Sequence, residues 1–164
     1  MTFSDSTLAL FAKEVAKYPA DQKQSAVMAC LSIVQHEQGH VSVESEDAIA
    51  AYLGMPTIAV HEVTTFYNMY NQQPVGRFKL NVCTNLPCAL RDGDRALEHV
   101  CKKLGVEPYG TTADGRFTVQ PSECLGACAD APVMLVNDRQ MCSFMSHQRL
   151  DELVDVLKAN AVQN

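Results

Sequence analysis

Apolar residues recur at helical spacing through the first seventy positions. Leu8, Phe11, Ala12 and Val15 form one such stripe, which Pro19 ends. Asp21 followed by Gln24 resembles a capping box, and the stripe Val27, Cys30, Leu31 and Val34 runs on from it until Gly39. Ser42 can cap a third helix carrying Ile49, Ala50 and Leu53, with Gly54 at its end. Pro56 suits the first turn of a fourth helix, from 57 to about 70, which offers Ile58, Val63, Phe66 and Tyr67 for packing. Four short helices with tight connections predict a helical bundle over residues 1–70.

The polar stretch 71–76, with Pro74 and Gly76, reads as a linker. After it the period changes. Residues 77–82 alternate like a half-buried strand and deliver Cys83 at its end. Leu90, Gly93, Leu97, Val100, Cys101 and Leu104 line a helix that Gly105 closes. Asp114-Gly115 marks a turn before a strand over 116–120, and Asn137-Asp138 marks a second between strands at 133–136 and 140–144. Ser146 can cap a last helix with Leu150, Leu153, Val154 and Leu157 on one face. Strand, helix, strands, hairpin and helix over 77–164 describe a small α/β layer of the thioredoxin-like kind, so the chain reads as α+β with two lobes.

Charge and composition then narrow the partners. A formal charge of −6 with no basic cluster argues against nucleic acid, and leaves another protein as the expected large partner. The longest apolar runs, 26–34 and 131–136, fall short of the roughly 20 residues a membrane span needs. The first residues show neither a basic leader with an apolar segment nor an Arg-rich presequence. A cytosolic location in a bacterium-like cell is expected, or a form already processed.

The candidate chemistry lies in the cysteines. Four of the seven form two close pairs: Cys83 and Cys88 at C-x4-C, then Cys124 and Cys128 at C-x3-C, with thirty-five residues between the pairs. Thiolate sulfur selects iron-sulfur clusters, zinc or copper(I). Neither pair is C-x-x-C, so a thioredoxin-type dithiol motif is missing. Both spacings lie within zinc range, although zinc more often uses two C-x-x-C knuckles. A C-x4-C start followed by distant cysteines is a [2Fe-2S] arrangement, and two cysteines per iron would put Cys83 and Cys88 on one iron and Cys124 and Cys128 on the other. The surroundings fit a buried anionic centre. Cys88 is expected just before a helix, Gly126 allows a tight turn with amides near sulfur, and Pro87 and Pro132 stiffen the loops. Cys30 and Cys101 belong to apolar stripes and Cys142 to a hairpin, so all three read as structural.

His36-Glu37-Gln38-Gly39-His40 matches H-E-x-x-H, which on a helix would bind zinc. Gly39 and the cap at Ser42 break the helix before the second histidine, so the match is read as accidental. His61, His99 and His147 stand singly and read as surface or satisfied histidines.

Together these residues resemble the E subunit of bacterial NADH:quinone oxidoreductase, respiratory complex I. The resemblance covers nearly the whole chain. It includes Thr64-Thr65-Phe66-Tyr67-Asn68-Met69, Gln73-Pro74-Val75-Gly76, the C-x4-C pair, Asp114-Gly115-Arg116-Phe117-Thr118, and Glu123-Cys124-Leu125-Gly126-Ala127-Cys128 followed by Ala131-Pro132. It implies one [2Fe-2S] cluster on Cys83, Cys88, Cys124 and Cys128, in a thioredoxin-like domain whose helical lobe embraces a flavin subunit. NADH and FMN are bound by that partner, and the cluster exchanges single electrons with FMN. This chain has no dinucleotide fingerprint or P-loop of its own. Other peripheral-arm subunits are implied as neighbours, on the cytoplasmic face of the inner membrane. Related subunits of NAD-linked hydrogenases and formate dehydrogenases share the ligand motif. A zinc-stabilised interaction module is the alternative of another class.

Overall fold

A computed structural model describes residues 3–160, apart from the side chain of residue 160. The chain divides into two compact units, with the boundary between Pro74 and Val75.

The first unit is helical. Helix α1, Asp5–Val15, starts at Ser4, whose hydroxyl accepts from the Thr7 amide. Helix α2, Val27–Gln38, ends where Gly39 takes a left-handed conformation at φ 79°, and α3, Val43–Leu53, is capped by Ser42 accepting from Ser45. The Asp21 capping box does not form. A 3-10 turn, Lys23–Ala26, leads into α2 without a side-chain cap, because the turn itself ties up the amides that a cap would serve.

Helix α4 is Thr57–Phe66, shorter than the sequence predicts, and Pro56 precedes it in extended conformation. Thr64 and Thr65 hydroxyls donate to the Val60 and His61 carbonyls at 3.1 and 2.8 Å, competing with backbone amides for the last turn. Tyr67 then turns extended. The buried face of α4 is Val60 and Thr64, with Val63 partly buried, while Ile58, Phe66 and Tyr67 are exposed. Phe11, Cys30, Leu31, Val34 and Ile49, all fully buried, form the centre of this unit.

The second unit is a four-stranded sheet in the order β2-β1-β3-β4. Strand β1, Phe78–Cys83, runs parallel to β2, Phe117–Ser122, and antiparallel to β3, Met134–Val136. Strand β4, Gln140–Cys142, pairs with β3 through a turn in which Asn137 and Asp138 both have positive φ, the left-handed region that Asn and Asp tolerate. Between β1 and β2 lie the short helix α5, Leu86–Ala89, and α6, Gly93–Leu104, and α7, His147–Asn160, follows β4. Leu80, Val82, Val119 and Met134 meet Val100, Leu150 and Val154 in one core.

Strand β1 is not half-buried. Lys79 and Asn81, on its polar positions, are 2% and 4% exposed. As a central strand β1 is covered on both edges, and Asp138 supplies the polar partner: Lys79 Nζ lies 2.6 Å from its carboxylate and Asn81 Nδ2 donates to it at 2.7 Å. Leu90, placed on the core face by its spacing, is 78% exposed, because α6 begins only at Gly93.

Candidate metal centre

The two cysteine pairs leave the carboxyl ends of neighbouring parallel strands. Cys83 ends β1 in register with Ser122, the last residue of β2, so Cys124 follows two positions beyond that shared rung. Cys88 sits inside the short α5, where Pro87 occupies the first turn, and not just before a helix as expected. A four-residue helix has little dipole to offer, so the help expected from it there falls away. Cys124 and Cys128 flank Gly126, whose φ of 79° reverses the loop.

The four thiols come together at these ends. Cys83 and Cys88 share an apolar cluster with Ala131 and Val133, at 2% and 1% exposure, and the Cys83 amide donates to the Val133 carbonyl at 3.1 Å. Cys124 and Cys128 are exposed, their sulfurs 3.5 Å apart. Only the inner pair is buried, against the expectation of a wholly buried centre.

Burial of its thiolate raises the Cys88 thiol, the Val133 amide draws it back, and the neighbouring Cys83 and Cys128 push it up again. Cys128 is raised first by its bond with Cys124 and then by desolvation. Cys124 is lowered, chiefly because the Gly126 amide donates to its sulfur. Cys88 and Cys128 are thus each held up in part by neighbouring sulfurs, a repulsion that a cation between them would relieve.

The donor set fits a binuclear centre. Metal–sulfur bonds of about 2.3 Å at tetrahedral angles hold two sulfurs roughly 3.8 Å apart, close to the Cys124–Cys128 separation. Among the described residues, no three His, Cys, Asp or Glu side chains gather closely enough to hold a metal ion. Two ligands per metal is the arrangement that a [2Fe-2S] cluster uses.

The other candidates lie elsewhere. Cys30 and Cys101 are buried in the two cores, and Cys142 packs at the edge of the second. Helix α2 ends at Gln38, so His40 lies beyond it, its Nδ1 3.3 Å from the Gln38 carbonyl. His61 bonds the buried Glu46 at 2.8 Å. His99 and His147 do not stand singly: their rings stack at 4.3 Å, and His99 also meets Asp151 at 2.9 Å.

Two contributors were not visible in the sequence. Val133 serves the site through its backbone, to which any residue type contributes alike. Gly93 opens α6 against the carbonyls of Cys83 and Cys88, where a Cβ would lie 2.8 Å from each oxygen. A glycine at the start of a helical stripe was the available signal.

Known proteins align with this picture. The sequence profile of the thioredoxin-like [2Fe-2S] ferredoxins matches residues 11–158. The E subunit of the NADH-quinone oxidoreductase of Rickettsia conorii is 37% identical over 158 residues, 96% of this chain and 94% of that one. An E subunit of the NADH-quinone oxidoreductase of Rhizobium meliloti is 39% identical over 144 residues, 88% of this chain and 84% of that one. Among solved structures, an NAD+-reducing [NiFe]-hydrogenase in the H2-reduced state superposes with a TM-score of 0.67 over 82% of this chain, at 20% identity. The match spans 22% of that hydrogenase chain, and at this identity it speaks for the fold alone.

Proposed function

Since the chain belongs to the thioredoxin-like [2Fe-2S] ferredoxin family, we propose that it holds one cluster on Cys83, Cys88, Cys124 and Cys128 as the electron-transfer subunit of an NADH:quinone oxidoreductase. The observation that carries this reading is the convergence of both cysteine pairs at the ends of β1 and β2. When bound, the cluster supplies a one-electron carrier for a flavin that NADH has reduced. Cys83 and Cys88 hold its inner side and exclude water there. Cys124 and Cys128 hold the outer side, with the Gly126 amide donating to sulfur and favouring the anionic form.

The redox partner is an FMN- and NADH-binding subunit, with other peripheral-arm subunits as neighbours. Residues 1–70 form the lobe that embraces the flavin subunit, 71–76 the link, and 77–164 the cluster domain. The exposed Phe66 and Tyr67, their rings 5.0 Å apart, support the first assignment, because uncovered apolar residues that group together mark protein contacts. Among the described residues no helix is long and apolar enough to cross a membrane. In this reading the chain is held at the cytoplasmic face of the inner membrane by the rest of its complex.

Purified protein should be reddish-brown, carry two irons and two acid-labile sulfides, and give a binuclear EPR signal on reduction. A colourless protein with one zinc per chain would overturn this function and favour an interaction module. The flavin protein that co-purifies separates the respiratory enzyme from hydrogenase and formate dehydrogenase assemblies.

A further inference from the structure

The two ligand-bearing loops are tied together beyond the sheet. The β1–β2 ladder ends at Cys83 and Ser122, and one further backbone bond follows, from the Thr84 amide to the Ser122 carbonyl at 3.1 Å. The next rung is made of side chains: Asn85 Nδ2 donates to Glu123 Oε2 at 2.9 Å. Asn85 occupies the N-cap position of α5, where asparagine ordinarily accepts from its own helix, yet its side chain makes no capping bond. Pro87 has no amide to offer, and the Cys88 amide is taken by the Asn85 carbonyl at 2.9 Å. The local helix thus leaves the Asn85 amide group free to cross to the other loop. There it meets a carboxylate next to Cys124, a charge-assisted contact.

We propose that Asn85 and Glu123 are positioning residues that strap the Cys83–Cys88 loop to the Cys124–Cys128 loop and slow release of the cluster. This rests on the assignment of the four cysteines as ligands.

The test uses the full chain purified with its cluster, reduced with dithionite and challenged with the ferrous chelator bathophenanthroline disulfonate. Iron release is followed by the absorbance of the chelate and by loss of the EPR signal. Asn85→Ala and Glu123→Ala are expected to release iron roughly threefold faster than the parent chain, the size a solvent-screened hydrogen bond to a carboxylate supports. Glu123→Gln keeps an acceptor for Asn85 but loses the charge, and should release more slowly than Glu123→Ala and somewhat faster than the parent. The double alanine variant should be no faster than the singles, because both remove the same bond. Asn85→Asp keeps the shape but faces a second carboxylate, and should release at least as fast as Asn85→Ala. Far-UV circular dichroism checks that each variant is folded. Parent-like release in all variants, additive effects in the double variant, or Glu123→Gln as fast as Glu123→Ala would each overturn the strap. A parent chain without iron and sulfide would instead overturn the cluster assignment, before any variant is compared.

Discussion

Replacing Gly93 with alanine tests whether backbone packing holds the inner ligand pair in place. A Cβ at this position would sit 2.8 Å from the Cys83 and Cys88 carbonyl oxygens and 2.8 Å from the Cys88 carbonyl carbon. Contacts under 3.0 Å are essentially never made by real Cβ atoms, and ordinary contact begins at 3.4 Å. The end of β1 and helix α5 must therefore move back by about 0.2 to 0.6 Å. No flexible side chain can absorb this shift, because all three contacting atoms are backbone. Overpacking of this kind costs about 1–3 kcal/mol. Where about 2 kcal/mol of that cost is relieved by shifting the two ligand-bearing segments away from the geometry the cluster needs, cluster retention weakens by roughly thirtyfold. The assay is the iron and sulfide content of Gly93→Ala after chelator challenge, read against Gly105→Ala. Gly105 has φ 67° and nothing within 4 Å of its Cβ, so that variant is strained without touching the ligand loops. Gly105→Ala should lose about 1 kcal/mol of stability and keep its iron. Full cluster content and unchanged retention in Gly93→Ala would refute the packing argument.

Cys124→Ser should impair or abolish cluster assembly while Cys30→Ser and Cys142→Ser leave the visible spectrum intact, as measured by absorption and iron analysis. Leu150 is fully buried, so Leu150→Ala should cost about 2–5 kcal/mol in urea unfolding, whereas Leu90→Ala, at a 78% exposed position, should stay within about 0.5 kcal/mol. Burial pushes the Cys30 thiol up to about 12 from an ordinary value of 9.0. The folded state keeps this proton where the unfolded chain releases it, so the stabilisation is whole below pH 9 and is lost as pH rises toward 12. Thermal melts across that window should show a decline that Cys30→Ala reduces. An identical decline in the variant would count against the burial argument.

Much of this molecule was legible because its signals are local. Gly39, Ser42 and Gly54 mark helix ends through their own backbone or hydroxyl chemistry, and Asn137-Asp138 forms the turn its residue types favour. What failed depends on other segments. Lys79 and Asn81 alternate with apolar neighbours as in a half-exposed strand, yet Asp138, more than fifty residues away, makes their burial tolerable. Helix α4 looked longer because Phe66, Tyr67 and Tyr70 continue an apolar spacing, while the threonine hydroxyls compete for the final turn. The four cysteines could be singled out by spacing, but spacing does not disclose that one pair is buried and the other exposed.

That asymmetry follows from how each pair is delivered. Cys83 is the last residue of a central strand and Cys88 lies on the short helix behind it, so both are packed against Ala131 and Val133. Cys124 and Cys128 lie on a loop beyond the edge strand, where Gly126 supplies the reversal and the sheet supplies no cover. The spacing between the pairs is then set by the parallel register of Cys83 with Ser122. A shift of one residue would move Cys124 along the strand end and turn the β2 side chains to the opposite face, placing Phe117 and Val119 outside the core. The hydrophobic pattern of β2 thus fixes where the second cysteine pair leaves the sheet as well as the fold. This is how a thioredoxin-like sheet can present four thiols from two strand ends without a C-x-x-C motif: the register performs the alignment that a short motif achieves within one loop.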